Sequence, residues 1–363
     1  MIEADREVML GGNIPRISTV KDVRIRERGK TRVITPIVIK DRVCQKVLCD
    51  YSLTPIMLDS LIYDNGASLP GKGVDFARAR MHLHMCEAIR KFGDKFYALT
   101  FDFKSYYDSI PHYSCRNVLS KIYREAVMVD MIMKVIKSYH EVRIKPVKDT
   151  NKRAKLKRKL DSDMSVGICL GSQVSQMLAL LVPNDLDHYI KDVCGVRHYI
   201  RYMDDGVLLA GSKDELRTIL GGMKDVCKRL GLVLHEKKTR IVKVTRGFVF
   251  LKRKYSVCGR KLIVRLVHGG IVRMRRKLRK FARLVGCGKM SLDDVYNSFQ
   301  SWVAHTNGTM SYKTMKSMMR LYNELFGSYR LTKKYKHIAK EVDGNGILQA
   351  DKWAKYRWCC DVA

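Results

Sequence analysis

Short apolar runs alternate with longer amphipathic segments along this chain of 363 residues. Residues 96–103 are apolar enough to predict a strand, and the β-rich runs 197–202 and 206–210 predict a hairpin because only three residues separate them. The same periodicities predict a short strand at 247–251 and helices at 114–137, 172–187 and 214–230. The whole pattern predicts an α+β chain with an antiparallel sheet and an all-helical C-terminal third.

A second pattern combines apolar spacing with charge. Between Lys252 and Arg283 there are 13 Lys and Arg and no Asp or Glu. Apolar residues recur at helical spacing from Ile271 to Val285, so the basic residues fall on the other faces of a helix. Those basic residues are Arg273, Arg276, Lys277, Lys280 and Arg283. A solvated face usually mixes both signs of charge, so we predict that this helix packs on one side and meets phosphate on the other.

The net charge points to the same kind of partner. The chain has 70 Lys and Arg against 36 Asp and Glu, a formal net charge of +34, and a further basic block at 143–159 predicts a surface loop. Such a charge attracts a polyanion, so nucleic acid is the predicted partner. An anionic membrane is the alternative, but the longest apolar run, 177–182, is far too short to span one.

Targeting and redox signals are weak. The first seven residues carry charges where a secretory signal has an apolar segment, which predicts a cytoplasmic protein. The 11 cysteines are scattered without a CxxC pair, which predicts reduced thiols. The adjacent Cys359 and Cys360 could be redox-active or metal-binding, and an ordinary tail is the alternative.

Three acids stand at the ends of predicted strands. Asp204 and Asp205 lie in the turn of the predicted hairpin, where a tight turn before Gly206 could direct two adjacent carboxylates to one site, although an Asp-Asp pair alone is more often a solvated turn. Asp102 ends the strand at 96–103 and could instead cap the following helix. Three carboxylates from two strands in so basic a chain indicate a pair of divalent ions bound to phosphates, as nucleotidyl transfer requires.

The motifs around these acids resemble those of bacterial reverse transcriptases, including retron and group II intron enzymes. Residues 101–110 resemble their motif A and Tyr202-Met-Asp-Asp205 resembles motif C. Further similar segments are 171–176 (motif B), 232–239 (motif D), 247–251 (motif E) and the fingers motifs at 30–36, 41–45 and 71–73. All occur in family order and cover roughly residues 24–255.

The resemblance implies a right-hand polymerase. Its fingers would span residues 1–95, its palm with an interleaved fingers segment 96–255, and its basic helical thumb with the tail 256–363. Asp102, Asp204, Asp205 and the carbonyl of Phe103 would hold two Mg²⁺ ions, which Mn²⁺ can replace. Lys238 resembles the motif D lysine that protonates the departing pyrophosphate, with Lys237 beside it as the alternative.

The resemblance also implies a nucleotide site and a grip on nucleic acid. Tyr107 matches a steric gate against a ribose 2′-OH, unless it is a core aromatic. The remaining predicted nucleotide-binding residues are Lys30, Arg32, Arg42, Leu170, Gly171 and Gln176, of which the three basic ones could instead contact template. Arg273, Arg276, Lys277 and Lys280 would hold the template–primer backbone.

Two departures in motif B indicate a subfamily. Many reverse transcriptases carry Gln-Gly and end this motif in Ser-Pro, whereas this chain has Leu170-Gly171 and Ser175-Gln176. That combination resembles the error-prone enzymes of diversity-generating retroelements, which implies template RNA, cDNA, dNTPs and a small basic accessory protein as partners. The alternatives are an antiviral reverse transcriptase that copies a non-coding RNA or works without a template, and a non-catalytic RNA-binding protein, which would gain nothing from carboxylates that repel phosphate.

Overall fold

Residues 23–27, 30–34 and 36–327 are described by a computed structural model. The chain divides into two units: unit 1 comprises Met1–Ala88 and Phe96–Val242, and unit 2 comprises Ile89–Lys95 and Lys243–Ala363. The predicted fingers, palm and thumb boundaries stay predictions. Cys359 and Cys360 lie outside the described residues.

Unit 1 is built on a four-stranded sheet. Its strands are β3 (Tyr97–Asp102), β4 (Tyr199–Tyr202), β5 (Asp205–Ala210) and β6 (Arg240–Lys243), in the order β4-β5-β3-β6. An N-terminal antiparallel hairpin precedes it, formed by β1 (Val23–Glu27) and β2 (Lys30–Ile34). β5 pairs antiparallel with both β3 and β4, so the predicted antiparallel sheet and the α+β fold class are confirmed.

Ten helices accompany this sheet among the described residues. They are α1 (Ile39–Leu48), α2 (Thr54–Ser60), α3 (Val74–Phe92), α4 (Tyr106–Ser109), α5 (His112–Ile122), α6 (Ala126–Ile144), α7 (Thr150–Asp161), α8 (Gln173–Leu181), α9 (Asn184–His188) and α10 (Lys213–Arg229). The π-helical turns Cys49–Leu53 and Tyr189–Val193 follow α1 and α9. α8 is buried along most of its length because six of its nine residues are apolar, and it helps to form the core with β3 and β5.

The described part of unit 2 contains a small sheet and three helices. Strands β7 (Phe248–Phe250), β8 (Arg253–Cys258) and β9 (Lys261–Leu266) pair antiparallel in chain order. Helices α11 (His268–Gly286), α12 (Leu292–Thr306) and α13 (Tyr312–Phe326) pack around a core that includes Leu278 and Phe299. Across the described ranges, no helix is both long enough and apolar enough to cross a membrane.

Several predicted elements need correction. The basic block at 143–159 is not a loop: it contains the end of α6 and most of α7, which Asp149 caps by accepting a hydrogen bond from the backbone of Lys152. The C-terminal third is not all helical, because β9 and the end of β8 alternate buried and exposed residues around a turn at Gly259. The helices predicted at 114–137 and 172–187 are each broken in two, the second near Pro183, which lacks the N–H that a continuous helix needs.

Candidate active site

A two-residue turn carries one of the predicted acids. Tyr202 pairs with Asp205 across β4 and β5, so Met203 and Asp204 alone connect the strands. Met203 has φ 54°, the left-handed conformation that a tight hairpin turn requires at its first central residue. The predicted hairpin is confirmed, and its turn places Asp204 beside Asp205, the first residue of β5.

Strand register brings the third acid to the same place. Asp102, the last residue of β3, pairs directly with Asp205. Residues opposite each other in an antiparallel pair have their Cβ atoms about 4.5–5.5 Å apart, so the two carboxylates are neighbours. The adjacent pair is Phe101 and Gly206, and a Cβ atom at Gly206 would overlap the Phe101 ring. Gly206 therefore allows the strands to meet at this register.

The carboxylates of this cluster repel one another. Burial, followed by the charges of Asp204 and Asp102, raises the pKa of Asp205 to about 7. Lys238 opposes this shift, and its Nζ lies 2.5 Å from Oδ2 of Asp102. Because the pKa of Asp205 stays high beside that lysine, the repulsion between carboxylates and their burial outweigh the lysine's charge. The cluster thus favours an added cation.

A backbone turn selects Lys238 over its neighbour. The carbonyl of Asp102 accepts a hydrogen bond from His235 N at 2.7 Å, and Lys238 N donates to the carbonyl of His235 at 3.0 Å. These two bonds bring the Lys238 side chain to Asp102. Lys237 is exposed, and its carbonyl accepts from Arg240 Nε at 2.5 Å. Of the two candidate lysines, the structure brings Lys238 to the acids.

A buried ion pair that the sequence analysis missed supports the turn. Arg201 and Asp187 are both fully buried, and Arg201 Nη2 lies 2.6 Å from Asp187 Oδ2. Tyr199 Oη donates to the same carboxylate at 2.6 Å. Arg201 Nη1 also donates to the carbonyl of Met203 at 3.1 Å, which ties the ion pair to the acidic turn. An arginine inside an otherwise apolar strand was the available signal.

The two tyrosines of the segment that resembles motif A occupy different environments. Tyr106 is buried and donates through its hydroxyl to the carbonyl of Ala179 at 2.5 Å, so it belongs to the core. Tyr107 is half-buried, and burial followed by the charge of Asp204 raises its pKa to about 12. Its phenol is therefore neutral near the acids. The Phe103 side chain stacks on Tyr106 with ring centroids 5.0 Å apart, which leaves its carbonyl as the candidate ligand.

Motif B forms the start of α8. Leu170 is half-buried and Gly171 exposed in the turn before Ser172, whose hydroxyl caps the helix by accepting from Ser175 N. The side chain of Gln176 donates to Ser68 Oγ at 2.5 Å. Gln176 thus has a hydrogen-bond partner within the protein. Its predicted contact with the nucleotide stays a prediction.

The predicted fingers residues are only partly described. Arg42 is exposed on α1. Lys30 and Arg32 lie on β2, but their side chains are outside the described part. The predicted nucleotide contacts of these three residues therefore stay predictions. Asp102 does not cap a helix, because α4 begins after Ser105 and has no side-chain cap.

The predicted basic helix is α11. Its buried residues are Met274, Leu278 and Phe281, while Arg273, Arg276 and Lys280 are exposed. Lys277 is exposed as well, but its Nζ donates to Ser298 Oγ on α12 at 2.7 Å. The two-faced helix is as predicted, and Arg273, Arg276 and Lys280 are exposed to solvent.

Comparison with known proteins identifies the family. The family model described as reverse transcriptase (RNA-dependent DNA polymerase) matches residues 21–255. The chain belongs to the reverse transcriptase family. The matched residues include the three acids and Lys238. No curated protein matches this reverse transcriptase.

Solved telomerases are similar to it at a low level. Apo telomerase from Candida tropicalis, truncated from its C-terminal domain, has 12% identity and a TM-score of 0.47, covering 73% of this chain and 59% of the telomerase. Telomerase from Candida albicans in complex with a fragment of telomeric RNA has 12% identity and a TM-score of 0.48, covering 94% and 61%. The reverse transcriptase thus spans about 60% of the length of these telomerase chains. The family match, rather than this likeness, carries the assignment.

Proposed function

We propose that this reverse transcriptase synthesises cDNA from an RNA template by two-metal nucleotidyl transfer. The observation that carries the proposal is the register of Asp102 against Asp205, with Asp204 in the adjoining turn. Like charges directly opposite each other in a sheet are destabilising, so a protein without a use for cations would gain stability by replacing them. The raised pKa of Asp205 expresses that cost.

The donor set fits divalent cations. Carboxylate and carbonyl oxygens are the ligands that Mg²⁺ and Mn²⁺ prefer, and here Asp102, Asp204, Asp205 and the carbonyl of Phe103 would supply them. When bound, two such ions supply the positive charge that stabilises the attacking and leaving oxygens of an in-line displacement. Mg²⁺ is the ion proposed, with Mn²⁺ as a substitute.

Side chains around the acids would position and discriminate the nucleotide. Lys238 reaches the acids, and an ammonium group there can donate a proton to the departing pyrophosphate. Tyr107 lies close enough to Asp204 for that charge to raise its pKa, which supports the proposal that its ring obstructs a ribose 2′-OH. Arg201 holds the carbonyl of Met203 and is a positioning residue for the turn.

Exposed basic surfaces would hold the nucleic acid. On α11 the exposed Arg273, Arg276 and Lys280 form one such surface. On α7 six exposed basic residues form another: Lys152, Arg153, Lys155, Lys157, Arg158 and Lys159. Lysine and arginine on a helix bind phosphates without reading sequence, which suits a polymerase that copies any template.

A diversity-generating role is the finer part of this proposal. Leu170 has no polar side-chain atom with which to contact a nucleotide, so correct pairs and mispairs would lose the same restraint and differ less in the transition state. Its place in the turn before α8, next to Gly171, supports such a contribution to fidelity. A small basic accessory protein would be a further partner.

Primer extension tests the function directly. The chain is given a defined RNA, a DNA primer, dNTPs and Mg²⁺, and a parallel reaction omits the RNA. We expect cDNA that depends on the RNA template. Equal synthesis without RNA would support the untemplated antiviral alternative. RNA binding with no synthesis under any condition would support the non-catalytic alternative and contradict the proposal.

Sequencing the cDNA tests the subtype. We expect errors concentrated opposite template adenine, and fewer of them in Leu170→Gln, which restores a polar side chain. Leu170→Met is the matched control, because it keeps an apolar side chain of similar size and should keep the errors. Low error in the unaltered chain would contradict the diversity-generating role and leave the polymerase proposal intact.

A further inference from the structure

A second cluster of ligating side chains lies in unit 1, away from the catalytic acids in sequence. His84 and Glu87 are three residues apart on α3, which places them on one face of the helix, and His198 immediately precedes β4. One ligand atom from each of the three lies within 4.8 Å of the others. His84 is 3% exposed and His198 is 7% exposed, so both imidazoles are buried.

The carboxylate of Asp64 lies next to the ring of His84, as carboxylates often do beside metal-binding histidines. Oδ2 of Asp64 lies 3.2 Å from Nε2 of His84. Histidines that bind metal ions usually donate their other ring N–H to a carboxylate, which fixes the tautomer and orients the ring. With Nε2 facing Asp64, Nδ1 of His84 is the nitrogen left to bind an ion.

The hydrogen bonding of the His84 ring is incomplete within the described part of the chain. Among the described residues, both ring nitrogens of His84 are buried and neither meets hydrogen-bond geometry; Nε2 has the carboxylate of Asp64 within ion-pair distance, whereas Nδ1 has no such contact. Buried polar side-chain atoms are rarely unpaired, because losing water without a replacement costs free energy. Asp64 is itself held by Arg80 Nε at 2.6 Å and Lys191 Nζ at 2.9 Å, so it stays in place behind the ring.

We propose that His84, Glu87 and His198 bind a divalent transition-metal ion, for which Zn²⁺ is the best match. Two imidazoles and one carboxylate suit Zn²⁺, whereas Mg²⁺ prefers oxygen ligands alone. Three protein ligands leave one coordination position for water on the side of Glu87, which is a quarter exposed. This site is separate from the acids of the proposed polymerase and does not depend on that function.

The surrounding charges define the competing description. Oε2 of Glu87 lies 3.4 Å from Nδ1 of His198 and 3.5 Å from Nε of Arg197. Without metal, Glu87 would therefore form ion pairs with a protonated His198 and with Arg197. The side chain of Arg197 is 79% exposed and can turn to solvent when an ion binds. The ion-pair network alone is the outcome that the test must separate from metal binding.

The position of the site gives it a structural role. A bound ion would join α3 to the residue that begins the approach to β4, and β4 leads into the turn at Met203 and Asp204. The same region is already joined by the backbone, because Asn65 bridges Arg201 and Gly66 N donates to the carbonyl of Arg201 at 2.9 Å. An ion would thus stabilise the base of the catalytic hairpin without touching its acids.

Co²⁺ spectroscopy on the full chain without a histidine tag tests the proposal. The protein is stripped with a chelator, transferred to buffer with excess Mg²⁺ to occupy the catalytic acids, and titrated with Co²⁺ and then with competing Zn²⁺. We expect visible d–d bands that saturate at one Co²⁺ per chain and vanish when Zn²⁺ is added. Thermal unfolding with and without Zn²⁺ should show stabilisation of the chain by the ion.

Matched variants assign the bands to these residues. Glu87→Gln keeps the shape of a partly exposed side chain, and unfolding without metal verifies that it folds. It should bind Co²⁺ at least about 10-fold more weakly, since even indirect ligand partners contribute that much. His188→Gln is the control, because His188 Nδ1 lies 2.6 Å from Asp192 Oδ2 in an exposed histidine–carboxylate pair without a third ligand, and it should bind as the unaltered chain does. Absent d–d bands, or equal bands in Glu87→Gln, would overturn the proposal and leave the ion-pair network.

Discussion

Two charged clusters meet at the hairpin of β4 and β5 and differ in how their charges are balanced. Arg201 and Asp187 are fully buried, and hydrogen bonds to Asp187, Leu180 and Met203 occupy the guanidinium. Asp102, Asp204 and Asp205 instead place carboxylates side by side, and the pKa of Asp205 rises to about 7. In the first cluster the positive and negative charges neutralise each other. In the second, the negative charges exceed the positive charge nearby, so a cation would stabilise it. A balanced buried pair indicates structure, and an unbalanced group of acids indicates a ligand.

Removing a charge should therefore have opposite consequences in the two clusters. Losing one partner of the balanced pair leaves the other buried and unpaired, so stability falls. Losing one acid of the unbalanced group relieves repulsion, so stability holds while activity falls.

The largest effect is expected on activity. Asp204→Asn or Asp102→Asn removes a charged ligand while keeping its shape, so polymerisation should fall by at least about 1000-fold, because a bound metal ion contributes several kcal/mol to the transition state. RNA binding should persist. Primer extension and an RNA-binding assay measure the two quantities. Asp108→Asn, at an exposed carboxylate of the same motif, is the control and should stay active; undiminished extension in either acid variant would refute the assignment.

The second effect is on stability. Arg201→Met leaves Asp187 buried without its cation, so the free energy of unfolding should fall by about 3–5 kcal/mol. The exposed pair of Arg217 and Asp214, 2.7 Å apart, offers the matched control: Arg217→Met should cost about 1 kcal/mol or less. Denaturant unfolding of both variants gives the comparison. Equal losses would show that burial does not distinguish the two pairs.

The third effect is a pH dependence. The pKa of Asp205 is raised from 3.8 to about 7 in the folded chain. Between those pH values the folded state holds more protons than the unfolded state, so the free energy of unfolding should fall as pH rises from about 4 to 7. The slope of that free energy against pH corresponds to a difference of up to one bound proton. Denaturant unfolding in a chelator measures it. Asp205→Asn should flatten this part of the curve, and an unchanged slope in the variant would place the titrating group elsewhere.

The smallest effect concerns the basic helix. Arg273→Gln combined with Arg276→Gln should make the plot of log affinity against log salt shallower by about one to two units, since each lost phosphate contact releases about one fewer counterion. Lys277→Gln should change it less, because that ammonium group is already bonded to Ser298. Lys228→Gln with Arg229→Gln, on the exposed end of α10, is the control for charge alone. An identical change in the control pair would mean that α11 has no special role.

Local sequence determined much of the turn between β4 and β5. The apolar runs on each side of Met203 and Asp204 predict strands, and a two-residue connection between them leaves a hairpin as the compact solution. The face of α11 that packs in unit 2 follows from apolar spacing in the same way. Both features depend on residues close together in the chain, so a periodic pattern suffices to predict them.

Two elements were predicted less well because their local signals were overlooked. The hairpin of β8 and β9 lies in the C-terminal third, which was predicted to be all helical, and the alternation of Tyr255, Val257, Leu262 and Val264 was the overlooked signal. The basic block at 143–159 was taken for a loop, although residues after Asp149 have ordinary helix propensity and a good N-cap.

Only tertiary structure decided which distant residues meet. The sequence supplies Lys237 and Lys238 equally, and the hydrogen bonds of His235 bring Lys238 to Asp102. It also contains Arg201 and Asp187 without marking them as partners, because their pairing depends on how the chain returns after α9. The grouping of His84 and Glu87 with His198 arises in the same way, since more than a hundred residues separate α3 from β4. Periodicity reports which face of an element is buried, but the packing of elements far apart in sequence selects which side chains share a site.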